Sequence, residues 1–170
     1  NFALTEDEYQ ELQSEIDTVI NAAASVKHYG SYQYFQEVNV ESARRLIDFC
    51  QESHAKFIHT STLSVSGYGF DNLDEHAGKT GKYFSESSLY IGQLLENVYA
   101  HSKFEAEKLV LDAMIGGLPA NIMRMGNLTN RFSDGVFQVN YETNTSAQRM
   151  KGLLELGLLP DYLVAGNAHM

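Results

Sequence analysis

Three short apolar runs separated by two long helical ones dictate most of what this chain can become. Asp17-Thr18-Val19-Ile20-Asn21-Ala22-Ala23-Ala24, Lys56-Phe57-Ile58-His59-Thr60-Ser61 and Ala120-Asn121-Ile122-Met123-Arg124-Met125 read as strands. Between them, Glu37 to Glu52 places Val38, Ala43, Leu46, Ile47 and Cys50 on one side of a helix, and Asn97 to Met114 forms the clearest helix of the chain. Strand and helix alternating at these lengths specify βαβ units. The expected fold is therefore α/β, a Rossmann-like doubly wound parallel sheet covered on both faces.

The flanking signals are simpler. Thr5-Glu6-Asp7-Glu8 has capping-box spacing and opens a helix through about Ile16. Gly67 to Gly92 breaks periodicity and reads as a long loop, functional or mobile, and it contains Gly78-Lys79-Thr80-Gly81 without strand–helix context. A turn-rich stretch around Asn140 to Asn144 precedes a last helix, Gln148 to Leu156. Ligands of a parallel sheet bind outside the carboxyl ends of its strands. The residues there, Ala22-Ala23-Ala24-Ser25, Ser61-Thr62-Leu63-Ser64 and Gly126-Asn127-Leu128-Thr129, are mostly small or hydroxylated, as close backbone approach to a ligand requires.

Charge and cysteine usage exclude several functions. A formal charge of −10 and a pI near 4.9 argue against nucleic-acid and anionic-membrane partners, because phosphate-rich surfaces would be repelled. Cys50 is the single cysteine, so no internal disulfide or cysteine metal cluster forms; a buried inert thiol in a reducing cytoplasm is expected. His28, His54, His59, His76, His101 and His169 lack metal-ligand spacing, which predicts no metal; His59 reads as a strand residue and His101 as a helix-surface one. Tyr29, Tyr32, Tyr34 and Phe35 are expected to serve core or loop packing rather than line an acyl tunnel. The opening Asn1-Phe2-Ala3-Leu4-Thr5 without a Met start suggests a piece of a larger polypeptide, with the domain at 1–160 and 161–170 a tail of artificial origin.

Tyr99-Ala100-His101-Ser102-Lys103 puts a phenol and an ammonium one helical turn apart on the same face. A nearby lysine charge would lower the tyrosine pKa toward working pH, as an acid–base catalyst needs. The spacing recurs on many surface helices, and its company gives it weight. A hydroxyl-rich strand end, Thr60-Ser61-Thr62-Leu63-Ser64-Val65-Ser66-Gly67, followed by Tyr99-x-x-x-Lys103, resembles the extended short-chain dehydrogenase/reductase superfamily from about Asp17 to Leu156. That resemblance implies Thr62, three residues before the Val65 of Val-x-Gly, as the catalytic hydroxyl beside Tyr99 and Lys103, with Ser61 and Ser64 as its neighbouring alternatives. It implies cofactor contacts at Asn21, Ala22, Ala23, Ala24, Lys103, Gly126, Asn127 and Leu128, and supporting roles for Asn39 and Arg124.

More narrowly, Asn21 to Gly30, Ser61 to Gly67, Tyr90-Ile91-Gly92-Gln93, and Arg124 to Thr129 with Arg131 resemble the thioester-reductase domains that end nonribosomal peptide synthetases, within a male-sterility and fatty acyl reductase-like group. The resemblance implies NADPH as cofactor, NADP being preferred over NAD on family grounds alone. It implies a carrier-protein phosphopantetheine thioester as partner and substrate, released reductively as an aldehyde or alcohol. One departure stands out: the family's Gly-rich phosphate loop has no counterpart here, so the first βαβ unit and most of the carboxyl-terminal substrate lobe are expected to be missing. Such a sheet would expose an edge open to self-association. Two other readings stay open, a nucleotide-sugar epimerase or dehydratase, against which Ser66 in the Val-x-Gly turn leans, and a non-catalytic fragment that binds no cofactor.

Overall fold

The computed structural model describes residues 2–27, 29–68, 84–95, 97–128 and 130–157. In chain order these form helix α1 (Glu6–Glu15), strand β1 (Thr18–Asn21), helix α2 (Tyr32–Phe35), a π-helical segment (Gln36–Glu41), helix α3 (Ser42–Ser53), strand β2 (Lys56–Thr62), a 3-10 turn (Leu63–Ser66), helix α4 (Val98–Ile115), strand β3 (Ala120–Met125), a 3-10 turn (Tyr141–Thr143) and helix α5 (Thr145–Leu156). The loop residues Gly78-Lys79-Thr80-Gly81 and the tail at 161–170 lie outside the described residues, as do His28, His76, Thr129 and His169. Two compact units result, Asn1–Gly126 and Asn127–Met170; the second holds the Tyr141–Thr143 turn and α5.

The expected α/β fold is present as an all-parallel sheet in the order β1-β2-β3. Val19 lies opposite Phe57, Asn21 opposite His59, and Ser61 opposite Arg124. Side chains alternate across a strand, so Val19, Asn21, Phe57, His59, Ser61, Ile122 and Arg124 share one face. Right-handed crossovers that always step to the next strand put α3 and α4 on one side of the sheet. Phe57 there joins Ile47, Phe49, Cys50, Val110, Ala113 and Leu118 in a buried core, with Tyr9, Leu12 and Ile16 of α1 packed against it. On the other face Ile20 is 66% and Met123 48% exposed. Burial pushes the Cys50 thiol up to about 11, which leaves it protonated and inert.

Local chemistry explains where elements start and stop. The Thr5 hydroxyl accepts from the Glu8 N–H while the Glu8 carboxylate accepts from the Thr5 N–H at 2.8 Å, a closed capping box. β1 stops at Asn21 rather than at Ala24, because the Asn21 side chain accepts from the Ala23 N–H and turns the backbone. The helical run before β2 begins five residues before the expected Glu37, at Tyr32, where Ser31 caps the Tyr34 N–H. Its aromatic first turn carries no charge pattern; of the cluster expected to serve core or loop packing, Phe35 is buried and anchors the turn, whereas Tyr29, Tyr32 and Tyr34 are exposed. Asn144 caps α5 through the Ala147 N–H and so starts it at Thr145, ahead of the expected Gln148. No helix among the described residues is long and apolar enough to cross a membrane.

Candidate active site

The carboxyl end of β2 and the first turns of α4 meet where chemistry is feasible. Asn97 caps α4 by accepting from the Ala100 N–H at 3.0 Å, which fixes the helix start at Val98, one residue before Tyr99. The inward stripe of α4 is then unusual for a core helix: with Ala100, Ala106, Val110 and Ala113 it buries Ser102, Lys103 and Glu107. Polar groups are kept in such a stripe only when each has partners.

Each of them has. The Lys103 ammonium, 3% exposed, donates to the Thr60 carbonyl at 2.6 Å and lies 3.3 Å from Nε2 of His59. His59 is fully buried, and its Nδ1 lies 3.3 Å from the Asn21 amide nitrogen. The fully buried Glu107 carboxylate receives Arg124 through Nε and Nη2, the closest contact being 2.7 Å. Arg124 also donates to the carbonyls of Ser85, Glu86 and Ser88 and stacks over Phe84 at 4.8 Å, so it ties that segment to β3 and α4.

Thr62 closes β2 and shares a hydrogen bond with Tyr99. Its hydroxyl also accepts from the Ser64 N–H at 3.2 Å, starting the 3-10 turn. Of the two alternatives, Ser61 points to the helix face, where its buried hydroxyl has no hydrogen-bond partner among the described residues, and Ser64 lies inside the turn. Tyr99 corrects one expectation. Burial raises its pKa, and only the Thr62 hydrogen bond acts the other way. The Lys103 ammonium is committed to Thr60 and His59, so Tyr99 is held as a neutral phenol, a proton donor. Lys103 itself is brought down to about 8 by burial, against the attraction of Glu107.

Asn39 joins the two halves of the site. It sits in the π-helical segment, a wide turn of the kind that recurs at functional positions. Its amide accepts from the Ser25 N–H at 2.7 Å and donates to the Ser25 carbonyl at 3.1 Å and the Ser102 hydroxyl at 2.8 Å. Ser102 in turn donates to the Tyr99 carbonyl at 2.8 Å. The strand end Asn21 to Ser25 is thereby fixed against α4, with Ala22 and Ala23 exposed and Ala24 half-buried beside it. Gly126 ends the first unit, and a side chain there would press on Leu63 at 3.2 Å. Asn127 and the exposed Leu128 belong to the second unit.

Gln93 and Gly67 fix the approach to α4. Gln93 donates to the carbonyls of Val65 and Leu89 and accepts from the Ile91 N–H. Tyr68 and Leu94 pair across two 2.9 Å backbone bonds. Gly67, at φ +62°, passes so close that a Cβ would lie 2.3 Å from the Leu94 carbonyl.

Sequence reading gave no site role to His59 and Glu107, and named Gln93 only as part of the Tyr90-Ile91-Gly92-Gln93 resemblance. Both of the first two had a signal: His59 alternates with Phe57 on the inward side of β2, and Glu107 continues the four-residue stripe from Tyr99 and Lys103. Among the described residues no three His, Cys, Asp or Glu side chains could hold a metal together.

Burial and the Lys103 charge push His59 down to about 3, so the folded protein stays neutral there while the unfolded chain binds a proton below about 6.5. Stability is therefore complete above about pH 6.5 and lost as pH falls toward 3. Between pH 7 and pH 5 we expect this histidine to cost about 2 kcal/mol, and His59→Gln to lack that loss in denaturant titrations at the two pH values.

Residues 1–170 match the NAD-binding family model described as male sterility protein. The thiolation-reductase di-domain of an archaeal nonribosomal peptide synthetase is 45% identical at a TM-score of 0.75, over 90% of this chain and 41% of that one. The reductase domain of the aureusimine biosynthetic cluster is 37% identical at a TM-score of 0.68, over 84% and 36%. The large subunit of L-2-aminoadipate reductase from Candida glabrata is 28% identical over 170 residues, 95% of this chain and 12% of that protein. UDP-glucuronic acid 4-epimerase from Bacillus cereus, 24% identical at a TM-score of 0.55, shares the fold alone.

Proposed function

The chain belongs to the male sterility protein family of NAD-binding domains, and on that premise we propose that it reduces a carrier-protein phosphopantetheine thioester with NADPH, releasing the acyl or peptidyl chain as an aldehyde or alcohol. The observation that carries this reading is the Thr62–Tyr99 hydrogen bond at the carboxyl end of β2, with buried Lys103 one turn along the same helix. The likeness to a thiolation-reductase di-domain supports a carrier-bound thioester as the substrate class and a carrier protein as the partner.

The residues present fit the nicotinamide-ribose end of the cofactor. Ala22 and Ala23 leave the strand end open to close approach, and Lys103 has a third N–H beyond those directed at Thr60 and His59. When bound, NADPH supplies the hydride that reduces the thioester carbonyl carbon. Thr62 and Tyr99 then stabilise the oxyanion by hydrogen bonds, and Tyr99 gives it a proton. Collapse of the thiohemiacetal expels the pantetheine thiol. The raised pKa of Tyr99 suits this direction of proton transfer, since the group must arrive protonated.

An acyl-pantetheine thioester offered with NADPH to the polypeptide carrying this chain tests the proposal. We expect loss of NADPH absorbance and an aldehyde that a hydrazine traps. NADPH left unoxidised, with a nucleotide sugar turned over instead, would overturn it in favour of the epimerase-type reading.

A further inference from the structure

Asn21, His59 and Lys103 form a buried line from the start of the cofactor-side loop to the catalytic helix, and the donors along it do not add up in one way only. From one end, the Ala23 N–H donates to Asn21 Oδ1, the Asn21 amide nitrogen faces His59 Nδ1 at 3.3 Å, and His59 Nε2 faces the Lys103 nitrogen at 3.3 Å. A neutral imidazole has one N–H and one acceptor nitrogen. If Asn21 donates to Nδ1, the ring proton sits on Nε2 and points at Lys103, which must then accept it as a neutral amine. If Lys103 is an ammonium it donates to Nε2, the ring proton moves to Nδ1, and Asn21 must turn its oxygen toward the ring. The Ala23 N–H is then released at the strand end.

Resting on the reductase reading of Tyr99 and Lys103, we propose that His59 is a positioning residue that couples the protonation of Lys103 to the hydrogen bonding of the Asn21–Ala23 strand end, through a chain whose polarity reverses with that proton. The charged state would thus present a free backbone N–H beside exposed Ala22 and Ala23, where an acceptor on a ligand can take it. The groups facing Lys103 from the elements around it are His59 and the Thr60 carbonyl on β2, and Glu107, paired with Arg124 of β3, on α4 itself. With Lys103 near 8, both polarities are populated at working pH. His59 itself stays neutral throughout that range, so it switches tautomer and not charge.

Nitrogen-15 spectra of selectively labelled histidine, recorded on the polypeptide carrying this chain, read the tautomer of His59 directly. The proton is expected on Nδ1 well below about pH 8 and on Nε2 well above it, with the Ala23 amide shifting at the same midpoint. A single tautomer throughout the titration overturns the proposal. His59→Leu should abolish the Ala23 titration. His59→Gln, which keeps an acceptor toward Lys103, should retain the wild-type midpoint of the pH–rate profile where His59→Leu moves it. Equal pH profiles for the two variants would reduce His59 to a packing residue. Tyr99→Phe separates the layers: turnover unaffected by it defeats the reductase reading, whereas turnover lost with a fixed His59 tautomer defeats this inference alone.

Discussion

Tyr99→Phe is expected to lower thioester reduction roughly 10²–10⁴-fold with melting temperature and NADPH affinity nearly unchanged. The substitution removes one oxygen and keeps the ring, so the half-buried packing of α4 survives. What disappears is the proton donor and the partner of Thr62. Thr62 still has the Ser64 N–H, so the strand end and its 3-10 turn stay formed, and the lost hydrogen bond costs about 1 kcal/mol of stability. Thr62→Val should act on the same step from the other side, losing about 10²-fold as one oxyanion donor is withdrawn. If both groups serve one oxyanion, the double variant loses less than the product of the two single losses. Single-turnover rates at saturating cofactor check this. A Tyr99→Phe rate within about twofold of the parent would remove the phenol from the chemistry.

How far the sequence alone reaches depends on whether a feature is periodic or assembled. The three strands and the helix carrying Tyr99 were readable because apolar spacing is a local property, and Thr5 to Glu8 and Asn97 announce helix starts in their own chemistry. The π-helical turn at Gln36–Glu41 leaves no such mark, since it follows from seating Phe35 and Asn39 together in the interior. The likeness to reductases pointed at Tyr99, Lys103 and Thr62, and the one-turn spacing of the pair gave Lys103 the job of acidifying Tyr99. Only the fold places the Thr60 carbonyl and His59, 43 and 44 residues away in sequence, within reach of that ammonium. Arg124 shows the same limit. It could be picked out as supporting, yet its partner Glu107 and the Ser85–Ser88 carbonyls meet it across two elements that no local pattern connects.

Arg124→Met should be the most destabilising single change in the first unit. Glu107 is fully buried and the Arg124 side chain 13% exposed, so their 2.7 Å contact is shielded from solvent. Replacing one partner strands the other charge, a loss of about 3–5 kcal/mol, far beyond the 0–1 kcal/mol of an exposed pair such as Lys151–Glu155. Adding Glu107→Leu removes the stranded charge altogether and should recover most of the stability, because an apolar replacement of a buried pair is often neutral. Recovery must be incomplete in one respect. The Ser85, Glu86 and Ser88 carbonyls still lack their donor, and Phe84 its stacking partner, so both variants should be cut faster by protease between Phe84 and Ser88. Denaturant titrations, with limited proteolysis beside them, separate the two jobs of Arg124. A double variant as unstable as the single one would show that the ion pair is not what Arg124 contributes.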